Sequence, residues 1–230
     1  MKTEVCIESF EEAIAADQYG INRIELCAAL DLGGLTPSSA LIEKCAAEIK
    51  AETHVMIRPR PGNFIYTSDE IEIMALDIAR SGGLEAKGVV FGCLNSDLSL
   101  DHAANSYLVS VASQFNLEIT FHRAIDFCSD YLESISEVSQ LGFNRVLTSG
   151  QAPNVDEGKS NIESISQLSE LNIEVMVGSG VNAQNINALV KMNIDAVHFS
   201  IRKVQEHSDQ MGNTYCIDHD KIKAILNEIK

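Results

Sequence analysis

Short apolar segments recur along the chain at intervals of roughly 30 residues, and this repeat constrains the fold more than any other feature. Eight such segments are rich in Val, Ile and Phe, have the length of a strand, and are followed by turn or helix-cap residues. They are VCIE (5–8), RIELC (23–27), VMIRP (55–59), GVVFGC (88–93), EITFHR (118–123), RVLTSG (145–150), EVMVGSG (174–180) and AVHFSI (196–201). The pattern predicts eight β-strands.

Stretches with an apolar period near 3.6 lie between these segments and predict helices. The clearest span residues 10–19, 38–50, 69–80, 131–141, 162–171, 183–191 and 218–229, with Ser68 and Asn182 as predicted N-caps. Unbroken alternation of strands and helices favours a (β/α)8 TIM barrel in one domain over residues 1–230. The alternative, an open doubly wound sheet, usually carries a glycine-rich dinucleotide loop after its first strand, and ESFEEA has no glycine there.

The charge and the cysteines limit the partners and the compartment. Lys and Arg number 17 against 33 Asp and Glu, so the net charge of −16 disfavours binding to nucleic acid or to anionic membranes. No window is long and apolar enough for a membrane span, and MKTEVCIESF lacks the apolar run of a signal peptide. Six cysteines without a CxxC pair predict reduced thiols. We therefore expect a cytoplasmic protein.

Strand alternation places an unusually polar set of side chains inside the predicted barrel. Val5, Ile7, Ile24 and Leu26 face the helices in this interpretation. The inward set comprises Glu4, Cys6, Glu8, Arg23, Glu25, Cys27, Met56, Arg58, Arg60, Thr120, His122, His198 and Ser200, while strand six leaves Thr148 and Ser149 undecided. Because buried charge is costly unless it is paired, these groups form either a ligand site or a structural ion-pair layer, with Glu25 against Arg58 as an example.

The inward residue types suggest acid–base chemistry on an anion. Arg58 and Arg60 suit a carboxylate or phosphate, although they could instead pair with Glu8 or Glu25. His122 and His198 could exchange protons near neutral pH. Backbone N–H groups at Gly178 and Gly180 could bind an anion, or the pair could simply serve a tight turn. No lysine ends an inward strand, which disfavours Schiff-base chemistry, and no P-loop or HExxH motif is present.

Sulfur forms a second group of candidates. Cys6 and Cys27 are predicted to share the inward face of neighbouring strands, and two thiolates suit copper(I) as a metal ion. Cysteine is also a small hydrophobe that packs well, so core packing is the competing interpretation for both residues. Cys93 has the same ambiguity, and Cys45 is predicted to pack in the helical shell.

Seven segments resemble the signature sequences of the CutC family, which is named for copper homeostasis. They are EVCIES, NRIELCAALDLGGLTPS, VMIRPRPGNFIYTSDE, VVFGCLN, ITFHRAID, NRVLTSG and HFSIR, in order from residue 4 to 202. The resemblance implies a cytoplasmic (β/α)8 barrel, homo-oligomeric, with a role in copper homeostasis. It also implies Cys6 and Cys27 as copper(I) ligands.

The motif-matching polar residues are more typical of an enzyme than of a copper chaperone. They are Glu25, Arg58, Arg60, His122, Arg123, Asp126, Thr148, Ser149 and His198. The alternative function is therefore acid–base chemistry by Glu25, His122 and His198 on a small anionic metabolite, such as one that resembles a sugar. Glu8, Pro61 and Asn63 depart from the family pattern. In the 203–217 segment, His207, Met211 and Cys216 could form a loose metal-binding loop, although a surface loop is the simpler expectation.

Overall fold

The computed structural model describes residues 1–166, 168, 171–192, 194–205 and 213–229. Eight parallel strands close into a barrel in chain order, which confirms the predicted (β/α)8 architecture and excludes the open sheet. The strands are β1 (Lys2–Ile7), β2 (Arg23–Leu26), β3 (Glu52–Met56), β4 (Gly88–Phe91), β5 (Glu118–Phe121), β6 (Arg145–Thr148), β7 (Glu174–Gly178) and β8 (Ala196–Ser200).

Eight helices surround these strands in the described part of the chain, and none of them is long and apolar enough to cross a membrane. They are α1 (Phe10–Gln18), α2 (Ser39–Glu48), α3 (Ser68–Gly83), α4 (His102–Ser113), α5 (Tyr131–Gln140), α6 (Lys159–Ser166), α7 (Ile186–Val190) and α8 (His219–Ile229). Helix α4 does not correspond to any of the helices that the apolar period predicts most clearly. The predicted helix over 162–171 starts earlier, and residues 167, 169 and 170 lie outside the described residues.

Both predicted N-caps are wrong. Thr67 caps α3 by accepting a hydrogen bond from the Glu70 N–H, so Ser68 is already the first helical residue. Helix α7 begins at Ile186. The Asn182 side chain instead closes a turn ahead of the helix, where it accepts hydrogen bonds from the N–H groups of Gln184 and Asn185.

A two-stranded antiparallel hairpin, β9 (Arg202–Gln205) and β10 (Thr214–Ile217), lies between β8 and α8. The Arg202 guanidinium lies 3.9 Å from the centre of the Tyr215 ring, and the Tyr215 hydroxyl donates to Asp31 Oδ1 at 2.6 Å. The expectation of a plain surface loop over 203–217 is therefore wrong at both ends of the segment. His207 and Met211 lie outside the described residues, so the metal-binding loop stays a prediction.

The barrel interior contains a buried ionic layer near the N-terminal ends of the strands. Arg23 donates to Glu4 and, at 2.9 Å, to Glu174. Arg145 bridges Glu174 at 2.5 Å and Glu118 at 2.9 Å. The outward residues Val5, Ile7, Ile24 and Leu26 are fully buried in the main hydrophobic core, as predicted. The ion-pair interpretation is thus correct for this level of the barrel, but its proposed example, Glu25 with Arg58, does not form.

Candidate functional site

A cavity of about 270 Å³ opens at the C-terminal ends of the strands, the end at which barrel enzymes place their active sites. It is lined by Cys6, Glu25, Leu30, Gly33, Met56, Phe64, His122, Arg123, Leu147, Ser179, Gly180, Val181, His198, Phe199, Ser200 and Lys221. A larger and more open depression of about 840 Å³ lies at the opposite end, beside Lys2 and Glu174. We take the first cavity as the candidate site because the unpaired polar side chains described below face it.

His198 connects the ionic layer to the floor of this cavity. Its Nδ1 pairs with Glu4 Oε1 at 2.8 Å, and its Nε2 lies 3.8 Å from Glu25 Oε2. Burial favours the neutral ring, but the charge of Glu25 and the contacts with Cys6 and Glu4 outweigh it and raise the pKa of His198 well above its ordinary value. The imidazole is therefore held as a cation between two carboxyl groups.

The two carboxyl groups beside His198 have opposite properties. Burial opposes ionisation of Glu4, yet the hydrogen bond from His198 and the charge of Arg23 hold its pKa well below the ordinary value. Burial, together with repulsion from Glu4, raises the pKa of Glu25. Glu25 is 3% exposed, and its Oε1 has no hydrogen-bond partner among the described residues. The cavity lining thus includes a carboxyl group that has one buried oxygen without a described partner.

The two candidate copper ligands flank the His198–Glu25 pair. Cys6 lines the cavity and contacts His198, while the Cys27 Sγ lies 3.6 Å from Glu25 Oε2. Cys27 is fully buried in a small cluster with Met56 and Val90. Burial, and then the charge of Glu25, raise the pKa of the Cys27 thiol well above its ordinary value. Cys27 is therefore protonated near neutral pH.

His122 presents a neutral imidazole to the same cavity. Its Nδ1 accepts a hydrogen bond from the Ala124 N–H at 3.3 Å, so the proton is assigned to Nε2. Burial, with repulsion from Arg58, lowers the pKa of His122 to about 3. The ring packs on Phe64 at 4.7 Å between centres, and Nε2 has no partner in the described part of the chain. A buried N–H donor without a described partner therefore belongs to a residue of the cavity lining.

Arg58 and Arg60, which the sequence predicts to bind an anion, lie outside the cavity lining and donate hydrogen bonds to the protein. Arg58 donates to the carbonyl oxygens of Leu32, Gly34 and Gly62 at 2.8–3.0 Å. It therefore fastens two loops above the barrel. Arg60 lies outside the cavity lining and is held by Glu70 at 2.5 Å and by carbonyl oxygens of its own loop. The Arg58 Nη atoms and the Arg60 guanidinium donate to the protein itself, while the Arg58 Nε is buried without a hydrogen-bond partner in the described residues.

A second set of predicted residues braces the loops after β5 and β6. Asp126 accepts hydrogen bonds from Thr148 Oγ1 at 2.5 Å and from Ser149 Oγ at 3.0 Å. It also pairs with Arg123 Nε at 2.8 Å. Of these four residues only Arg123 lines the cavity. These hydrogen bonds position the Arg123 guanidinium at the cavity. Thr148, Ser149 and Asp126 support it from outside the cavity lining.

Three further predicted residues have separate positions. Glu8 pairs with Arg202 and accepts from the Leu30 N–H at 2.8 Å, outside the cavity lining. Gly178 leaves room for neighbouring side chains, since a Cβ there would lie 2.9 Å from Leu147 Cδ1 and 3.1 Å from His198 Cβ. Gly180 lines the cavity, as the anion hypothesis requires.

Comparison with known proteins gives the family. The family model of the CutC family matches residues 1–203. A CutC family protein of Glaesserella parasuis serovar 5 is 39% identical over 242 residues, covering 100% of this chain and 99% of that protein. The chain belongs to the CutC family. A further relative, CutC of Aliivibrio fischeri, is 39% identical and covers 100% of this chain and 88% of its own length.

Solved structures agree with this assignment to the CutC family. The crystal structure of CutC from Streptococcus agalactiae, described as a candidate copper homeostasis protein, has a TM-score of 0.80 and 33% identity. The alignment covers 86% of this chain and 98% of that one. A 3-hexulose-6-phosphate synthase structure reaches a TM-score of 0.66 at 15% identity and 99% coverage of both chains. The second similarity shows the shared barrel fold alone.

Two residues of this CutC barrel escaped the sequence analysis. Lys221, on α8, reaches the cavity, although the inward positions of the strands contain no terminal lysine. Val181 follows the predicted turn and also lines the cavity. Neither belongs to a strand, so strand alternation could not find them. A search for basic residues in the first turn of the helix after β8 would have found Lys221, because TIM barrels often bind phosphate there.

Proposed function

We propose that this CutC barrel takes part in copper homeostasis and binds copper(I) as its cargo through Cys6 and Cys27. One observation carries the proposal: the two thiols stand on either side of the His198–Glu25 pair, one touching each partner. The S. agalactiae relative, described as a candidate copper homeostasis protein, supports it. The cytoplasmic location and the homo-oligomeric state that the sequence predicts belong to the same proposal.

The kinds of donor at this position fit copper(I). Thiolate, thioether and imidazole are the ligands that a soft monovalent ion prefers, and Met56 packs against Cys27 within the same wall. Among the described residues, Glu4, Glu25 and His198 have ligand atoms close enough together to hold one metal ion at this position. No cysteine belongs to this group of three. Binding through both thiols requires loss of the Cys27 proton, and burial raises the pKa of that thiol.

The variant Cys6→Ser/Cys27→Ser is expected to abolish one-to-one copper(I) binding, because it removes both thiolates. Competition with a copper(I) chelator measures the affinity. The wild-type association constant should rise about tenfold per pH unit for each proton that copper displaces. The matched control is Cys45→Ser/Cys128→Ser, which also leaves four thiols but changes cysteines outside the cavity. Equal affinities for the two double variants would contradict the proposal.

A second candidate function, acid–base catalysis, is favoured by the unpaired polar atoms of the cavity. Glu25 Oε1 and His122 Nε2 are both buried and without partners in the described chain, and buried groups of this kind normally have a hydrogen-bond partner or a water. The cavity volume of about 270 Å³ exceeds the space of a single ion and suits a small metabolite. A carboxyl group with a raised pKa and a neutral N–H donor are a suitable pair for moving a proton next to a carbonyl group.

In this second function, the Glu25 carboxylate takes a proton from the carbon next to a carbonyl group. The His122 Nε2–H donates a hydrogen bond to the carbonyl oxygen, on which negative charge develops. Return of the proton to a carbon completes the cycle without a redox partner. His198 stabilises the ionised form of Glu25 through its positive charge.

Incubating the protein in D₂O with a panel of small hydroxy-ketones and their phosphate esters tests this function by NMR. We expect deuterium to enter the position next to the carbonyl. The variant Glu25→Gln should lower the exchange rate by about 10²–10⁴-fold, since it removes the base. Glu52→Gln is the control, because it makes the same change on an exposed residue at the other end of the barrel. Exchange that survives Glu25→Gln would contradict the assignment of the base.

A further inference from the structure

Lys221 is a positive charge on the cavity wall that has no carboxylate partner among the described residues. It lies in the first turn of α8 and lines the cavity, and no described carboxylate lies within 4.0 Å of its Nζ. The chain has 33 acidic residues and 17 basic ones. Because acidic side chains are in excess, a lysine without a described carboxylate partner is unexpected. With no described carboxylate beside it, the ammonium is available to an anion that enters the cavity.

The adjacent wall adds a backbone donor to this lysine. Val181 lines the cavity and is 2% exposed, and its N–H has no acceptor among the residues that the structure describes. Ser179 and Gly180 before it have left-handed backbones, with φ of +79° and +80°. The Ser179 Oγ donates to the Pro153 carbonyl at 2.7 Å and holds this turn in place. A buried N–H without an acceptor costs free energy that a bound anion would recover.

Arg123 extends the positive wall on the other side of this turn. Its Nε pairs with Asp126 and its Nη2 donates to Ser149 Oγ at 2.7 Å, which fixes the guanidinium at the cavity edge. Its Nη1 has no hydrogen bond to the rest of the described chain. Following the barrel from β5 to β8, the wall therefore presents Arg123, Val181 and Lys221 in order.

We infer that this wall, formed by Arg123, the Ser179–Val181 turn and Lys221, is a binding subsite for the phosphate group of a small phosphate monoester. The same cavity is also lined by Glu25 and His122, whose unpaired Oε1 and Nε2 atoms belong to side chains more than nine-tenths buried and would serve the rest of the molecule. Two cationic side chains and a backbone N–H fit a doubly charged phosphate group better than they fit a singly charged carboxylate group. Phosphate binding after strands seven and eight is a recurrent use of this barrel end.

This subsite does not depend on copper binding, and it gives the substrate class of the second candidate function, on which it builds. Glu25 and His122 give the reacting end of the cavity, and Lys221 gives the anchoring end. A ligand that spans both ends would present its carbonyl group to His122 while its phosphate group is held at Lys221. Binding and turnover can therefore succeed or fail separately.

Isothermal titration of the full chain with glycerol 3-phosphate, at constant ionic strength, tests the subsite. Glycerol and inorganic phosphate serve as the two partial probes. We expect one-to-one saturable binding of glycerol 3-phosphate, weaker binding of inorganic phosphate, and none of glycerol. The variant Lys221→Gln should weaken glycerol 3-phosphate binding by at least about tenfold, because a hydrogen bond between charged groups is lost. Lys221→Arg should retain most of the affinity.

Lys223→Gln is the matched control, since Lys223 is exposed on the same helix and lies outside the cavity lining. It should bind like the wild type, and all variants should show the wild-type melting temperature without ligand. Failure of glycerol 3-phosphate to bind the wild type would overturn the inference. Equal losses in Lys221→Gln and Lys223→Gln would also overturn it, because they would indicate diffuse charge attraction. Intact phosphate binding without deuterium exchange would reject the second candidate function and leave the subsite standing.

Discussion

Replacing Arg23 with leucine is expected to lower the free energy of unfolding by about 3–5 kcal/mol, the loss typical of breaking a buried ion pair from one side. Arg23 is fully buried and donates to Glu4, which is also fully buried, and to Glu174 at 2.9 Å. The variant leaves the Glu4 carboxylate inside the barrel with His198 as its one remaining hydrogen-bond partner among the described residues. Urea unfolding at neutral pH, followed by circular dichroism, measures the change.

Lys2→Met is the matched control for this variant. It also removes a cation from Glu174, at 3.6 Å, but the Lys2 side chain is 51% exposed, so we expect a loss below about 1 kcal/mol. The double variant Arg23→Leu/Glu4→Leu should recover part of the stability, because it removes the stranded charge as well. A loss for Arg23→Leu as small as that for Lys2→Met would show that the ionic layer contributes little to stability.

Acid is expected to destabilise the protein steeply below pH 6.5, through two histidines that the fold keeps neutral. Burial, as the largest cause, lowers the pKa of both His54 and His122 to about 3. Between pH 6.5 and about 3 the unfolded chain takes up protons that the folded chain refuses, so stability falls as the pH falls. Each histidine contributes a slope of about 1.4 kcal/mol per pH unit in this window.

Glu174 extends the same trend to lower pH. Burial opposes ionisation, but the hydrogen bond from Arg145 and its charge lower the pKa of Glu174 to about 2. Its contribution is complete above the unfolded value of 4.5 and disappears as the pH falls toward 2. His198 has the opposite sign, since its raised pKa contributes stability that is present below pH 6.5 and lost at higher pH.

The variant His54→Leu separates these contributions. Both ring nitrogens of His54 are buried without hydrogen-bond partners in the described chain, and Glu118 Oε2 lies 3.8 Å from Nε2. Because the ring is neutral at neutral pH, an apolar replacement should change stability little there. It should reduce the acid slope by about 1.4 kcal/mol per pH unit, while His102→Gln, at a side chain 55% exposed, should leave the slope unchanged. Urea midpoints at a series of pH values measure both. An unchanged slope in His54→Leu would contradict the buried-histidine explanation.

The strands and their inward side chains could be predicted from the sequence because side-chain direction in a strand depends only on parity. Glu4, Glu25 and His198 therefore appeared in the correct interior, and Cys6 and Cys27 appeared on the same face. The alternation of inward and outward positions does not indicate which residue each inward side chain pairs with. Glu25 pairs with neither Arg58 nor Arg60, because each arginine finds loop carbonyl oxygens that no periodic pattern locates.

The loops carried the errors and the omissions. Thr67 caps α3 in place of Ser68 because the two adjacent hydroxyl residues offer similar cap chemistry, and only the backbone geometry distinguishes them. Lys221 and Val181 reach the cavity from a helix start and a turn, whose positions depend on how the barrel closes. The sequence does not determine which of Thr148 and Ser149 faces the barrel interior. In the structure, the hydroxyl groups of both residues donate to Asp126, and neither residue lines the cavity.

The ionic layer inside the barrel also solves a problem of strand alignment. If β2 slipped along β1 by one residue, the hydrophobic side chains of β2 would turn toward the barrel interior. If it slipped by two residues, every side chain of β2 would stay on its correct side. Hydrophobic burial alone penalises that second error weakly. A two-residue slip would, however, part Arg23 from Glu4, its partner in the strand pairing, and leave both charges buried alone. The charges at the base of this barrel thus distinguish the native closure from its nearest misaligned competitor, which a wholly apolar interior would tolerate.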